Sequence, residues 1–84
     1  MRLRLEVVRH GLPPIKVVWN ATPKLSIAEL LQELNAFVPL EADEWDLDDY
    51  TLQIGGFETL HYQLVGDVLK EDEEIVLVTV ILQY

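Results

Sequence analysis

No cysteine occurs among the 84 residues. Disulfide scaffolds, thiol nucleophiles and cysteine-ligated zinc are therefore excluded. Basic residues are scarce, six against fifteen acidic ones for a net charge of −9, and phosphate backbones are tracked by cationic surfaces, so nucleic acid is not expected as principal ligand. With four glycines, four prolines and Ser26 as the single serine, there is no flexible linker and no low-complexity tract to divide the chain. Apolar runs are short as well. None approaches the ~20 residues of a membrane span, and Arg2, Arg4, Glu6 and Arg9 interrupt any signal-peptide apolar region. An intracellular domain without a membrane partner is expected. Asn20-Ala21-Thr22 fits a glycosylation acceptor but is discounted without a secretory signal.

Half of the residues are hydrophobic and a quarter charged, the composition of one small globular domain over 1–84. Its charge is unevenly spread. Residues 1–24 hold five basic side chains against Glu6, a balance of +4, whereas residues 25–84 hold fourteen acids against Lys70, a balance of −13.

Alternation dominates the start. From Arg2 to Arg9, Leu3, Leu5 and Val7 share one face while Arg2, Arg4 and Glu6 share the other, the pattern of a strand with one buried side. His10 to Pro14 supplies turn residues, and Ile15 to Asn20 alternates again, with Lys16, Val18 and Asn20 together. These runs predict a hairpin. Ser26 to Glu29 reads as a capping box, and Ile27, Leu30, Leu31 and Leu34, with Phe37 or Val38, predict a helix from about Ile27 to Phe37, stopped by Pro39. An acidic stretch follows, Glu41 to Asp49, enclosing Trp45 and Leu47, and its like charges suggest a solvated loop or a short turn. Tyr50 to Ile54 is a predicted strand, Gly55-Gly56 a turn, and Phe57 to Tyr62 a short partner strand. Leu64 to Leu69 leads to a long last strand, Ile75 to Leu82. The order is ββαβ(β)β.

Catalysis finds little support. Ser26 is accounted for as a cap, Thr22, Thr51, Thr59 and Thr79 have no recognised arrangement with His10 or His61, and paired carboxylates need a cleft that a domain this small seldom has. Asp43, Asp46, Asp48 and Asp49 lack the spacing and glycine of a calcium loop. Neither a cofactor, a metal nor a small-molecule substrate is expected, and the chain is expected not to be an enzyme.

Connection rules favour a sheet in which the last strand lies centrally, parallel to the first, with one helix crossing it. That is an α+β β-grasp, a mixed sheet of four to five strands (ββαββ). Leu52 to Leu60, followed by Val68 to Val78, resembles the second half of a ubiquitin-like domain, and the Ser26-Ile27 helix start and Met1-to-Val7 opening fall at matching places. Within that superfamily, Arg2-Leu3-Arg4-Leu5 and Gly55-Gly56 are most similar to the N-terminal domain of coilin-type nuclear scaffold proteins. The resemblance implies the N-terminal module of a larger protein, a nuclear location and self-association. Ile81-Leu82-Gln83-Tyr84 carries no diglycine, so conjugation is not expected, and Gln53 stands where ubiquitin has its recognition isoleucine.

Two features suggest how such a module works. The last strand is apolar on both faces, with Ile75, Leu77, Thr79 and Ile81 on one side and Val76, Val78 and Val80 on the other. Either Arg2 and Arg4 cover these valines with their aliphatic stems, or Val76 and Val78 form an outward apolar patch with Val18 or Leu12. The charge split either keeps the domain soluble or sets a basic side, Arg2, Arg4 and Lys16, against an acidic side, Asp46, Asp48 and Asp49, for head-to-tail association in the manner of PB1 domains. Trp45 either plugs the core or anchors an interface. The expected partner is a protein, a second copy of the chain in the first instance or an unrelated one for a monomeric adaptor.

Overall fold

The computed structural model describes residues 1–9, 12–40, 46, 49–71 and 75–80, with Val80 described by its backbone alone. His10, Glu41–Trp45 and Asp48 lie outside the described residues, as do the expectations that rest on them.

Strand β1 (Arg2–Val7) buries Leu3, Leu5 and Val7 and turns Arg2 and Arg4 outward. Strand β2 (Ile15–Asn20) pairs with it antiparallel, Arg4 opposite Val18 and Glu6 opposite Lys16, so the predicted hairpin forms with the predicted faces. Helix α1 (Ile27–Phe37) starts at the capping box. The Glu29 amide donates to Ser26 Oγ at 3.2 Å and the Ser26 amide to Glu29 Oε1 at 3.1 Å. Ile27 and Ala28 donate their first-turn amides to the carbonyls of Gln63 and His61, so a distant loop satisfies helix donors that have no intrahelical partner. Ile27, Leu30, Leu31 and Leu34 face the sheet. Phe37 does not join them; it is 77% exposed and Val38 packs against the core instead. The Val38 amide closes the last turn on Leu34, and Asn35 Oδ1 takes the Leu40 amide beyond Pro39.

Strands β3 (Tyr50–Ile54) and β4 (Phe57–Glu58) flank Gly55 and Gly56, whose φ of 57° and 86° is the left-handed backbone that a two-residue hairpin turn demands. β4 is shorter than the sequence predicted. Gln63 accepts the Leu60 amide on its side chain and donates its own amide to the Leu60 carbonyl, turning the chain away from the sheet. A one-turn helix the sequence did not signal, α2 (Val65–Val68), then docks on the entrance to α1. Val65 donates to the Leu25 carbonyl and Gly66 to that of Pro23.

Strand β5 (Ile75–Val80) runs parallel to β1 and antiparallel to β3, giving the order β2-β1-β5-β3-β4. The result is a small α+β domain with a five-stranded mixed sheet and two helices, compatible with a β-grasp. Its last strand is central, as expected.

One expectation is overturned. Val76 and Val78 are 1% and 0% exposed, within the core, and cannot present an apolar patch to a partner. The reason is register: Leu5 lies opposite Val76, Val7 opposite Val78, and Leu52 opposite Val78, and residues opposite one another share a face. Ile75 is the residue turned out, at 54% exposure.

Candidate interaction surface

The solvent face of the sheet collects side chains from three neighbouring strands. β2 contributes Lys16, Val18 and Asn20, β1 contributes Arg2, Arg4 and Glu6, and β5 contributes Ile75 and Leu77. Arg4 lies opposite Val18 on one side and Ile75 on the other, so a basic residue is flanked in the sheet by two aliphatic residues that are 65% and 54% exposed. A shallow depression of about 200 Å³ opens there, lined by Arg4, Lys16, Val18 and Ile75 with Leu5 and Val17 beneath. Small-molecule sites run from about 300 Å³ upward and enclose their ligand. An open basin on a sheet face suits protein side chains better.

Of the expected interaction residues, Arg2, Arg4 and Lys16 are thus gathered on one face. The Arg2 amide is additionally held by Glu71 Oε1 at 2.8 Å, which ties the loop before β5 to the start of β1. Asp46 is exposed, and its amide donates to Asp49 Oδ2 at 2.8 Å while the Asp49 amide donates to the Asp46 carbonyl at 3.0 Å. Asp49 precedes Tyr50, which lies opposite Val80 at the far end of β5. Arg4 lies opposite Ile75 at its near end. The five-residue step between these positions is about 17 Å of strand, too far for direct pairing within one chain. Ile75 and Leu77 were missed from sequence because both faces of β5 are apolar, and only pairing with β1 selects between them.

Among the described residues, no three His, Cys, Asp or Glu side chains are grouped to hold a metal ion. His61 is engaged structurally, its Nε2 lying 2.7 Å from the Tyr50 carbonyl. No helix among the described residues is long and apolar enough to cross a membrane.

A family model matches residues 1–83. The chain belongs to the family described as Domain of unknown function (DUF7357). No curated protein matches this DUF7357 chain in sequence. In three dimensions it is similar to a chain in the crystal structure of ATBAG1 in complex with HSP70, with a TM-score of 0.63 and 14% sequence identity. The likeness covers 93% of the DUF7357 chain and 40% of the other. At that identity the likeness is one of fold. Since 198 solved chains match this DUF7357 fold, function has to be argued from its surface.

Proposed function

We propose that this DUF7357 domain is a non-catalytic protein-interaction module of the ubiquitin-like β-grasp type, which self-associates through the solvent face of its first hairpin. The observation that carries this reading is Arg4 set between exposed Val18 and Ile75, with Lys16 and Arg2 on the same face. Exposed aliphatics are costly to leave in water, and beside cationic side chains they give a partner both apolar area and a charge to match. The apolar centre of the contact is Ile75 and Val18. The acidic side is supplied by another copy through Asp46 and Asp49, at the opposite end of the sheet, a separation that favours head-to-tail contact over pairing within one chain. The resemblance to coilin-type scaffolds brings a nuclear location and a larger parent protein into the same proposal. The similar chain comes from a crystal structure of ATBAG1 in complex with HSP70, which is consistent with this fold serving in protein assemblies.

Analytical ultracentrifugation across salt concentrations tests self-association. Assembly at low ionic strength that weakens as salt screens surface charge supports it; a strict monomer at high protein and low salt rejects it. The second reading, a monomeric adaptor for an unrelated protein, is favoured by Val18 and Ile75 themselves, because an apolar contact persists in salt. Imaging of a fluorescent fusion tests the nuclear location, and exclusion from the nucleus rejects it.

A further inference from the structure

The sheet has two edges, and they differ. β4 offers two residues beyond a glycine turn, whereas β2 offers six, Ile15 to Asn20, with no proline, glycine or bulge among them and Lys16 as the only charge. Long, regular, apolar edges are what folded domains usually avoid, because their outward amides and carbonyls are ready to pair with another strand. Which groups point outward follows from one bond. In an antiparallel ladder alternate pairs exchange hydrogen bonds, and the Ala21 amide donates to the Met1 carbonyl at 2.8 Å. Continuing that register makes Leu3–Trp19, Leu5–Val17 and Val7–Ile15 the bonded pairs. The amides and carbonyls of Lys16, Val18 and Asn20 therefore face away from β1, and among the described residues nothing pairs with them.

We infer that the β2 edge accepts an extended segment of a partner protein as a sixth strand, and that the segment presents an acidic and an aliphatic side chain two residues apart on its outer face. This rests on the hairpin being a protein-docking surface and specifies its partner. A strand bonded to Lys16, Val18 and Asn20 places every second side chain opposite theirs, on the solvent face. There an aliphatic group meets Val18 at the depression and a carboxylate meets Lys16 and Arg4. The other side chains of the segment point toward Trp19, whose ring packs edge-on against exposed Phe37 at 5.7 Å, and the charge and aliphatic contacts that select the segment lie on the outer face. A second copy's β2 carries Lys16 and no carboxylate, so it lacks the acidic side chain that would meet Lys16 and Arg4.

The probe is a capped peptide of threonine-valine-threonine-glutamate repeated twice, titrated into the whole domain and followed by NMR. The expected result is perturbation along β2 and slowed hydrogen exchange at the Lys16, Val18 and Asn20 amides. Lysine in place of glutamate in the peptide, or K16E in the domain, is expected to weaken binding roughly tenfold. Val18→Pro removes an amide that β1 does not use, a change edge strands tolerate, and is expected to abolish binding while the domain stays folded. A peptide N-methylated at the amides facing β2 makes the same test without touching the protein. Binding that leaves these three amides exchanging as before, or that survives N-methylation, overturns strand addition while leaving outer-face docking intact. Absence of binding at millimolar peptide overturns the inference. A domain that never self-associates yet takes the peptide at β2 loses the self-association reading alone.

Discussion

Ile75 and Val78 stand three residues apart on one strand and meet opposite surroundings, water for one and Leu52 and Val7 for the other. Truncating each to alanine should separate them. Val78→Ala removes packed methyl groups from a site with no exposure and is expected to cost about 2 kcal/mol, whereas Ile75→Ala is expected to stay within about 0.5 kcal/mol, read from urea unfolding midpoints. Gly66 is a second telling residue. A Cβ built there would lie 2.8 Å from Pro23 Cβ and 3.1 Å from the Pro23 carbonyl oxygen, and a proline ring has little freedom to retreat. Gly66→Ala should therefore destabilise by about 1–2 kcal/mol despite alanine's better helix propensity. Equal or higher stability of that variant in thermal melts would show that α2 shifts freely.

Among the elements, α1 and the first hairpin were readable because their instructions are local. The Ser26 cap and the Leu30–Leu31–Leu34 stripe are encoded within one helical length, and the capping bonds form as the sequence predicts. Ser26→Ala is expected to cost about 1 kcal/mol, since the Glu29 amide loses its acceptor; an unchanged melting temperature would mean that the loop donating Gln63 and His61 carbonyls secures this end alone. α2 was not legible. Its four residues carry no cap bond from a side chain at Leu64, and it exists because Leu25 and Pro23 offer carbonyls to Val65 and Gly66, partners some forty residues distant. The facing of β5 was illegible for another reason: alternation between Ile, Val and Leu gives no contrast to read.

For the whole molecule, the net charge of −9 conceals a basic sheet face. Reversing both arginines, Arg2→Glu with Arg4→Glu, should abolish salt-sensitive association measured by light scattering while the far-ultraviolet spectrum stays native, because both side chains are exposed. Loss of the native spectrum instead would reveal those side chains as structural cover for the sheet. The gathering of Arg2, Arg4 and Lys16 was foreseeable from alternation, for a strand pair with one buried side leaves only the other for charge. Their juxtaposition with Ile75 was not. By itself the sequence determined the class of elements, the cap, the glycine turn and the inner side of β1, each fixed by neighbours a few residues away. Tertiary structure decided which face of β5 is buried, where α2 forms and which strand stands open at the edge, because each depends on hydrogen-bond partners distant in the chain.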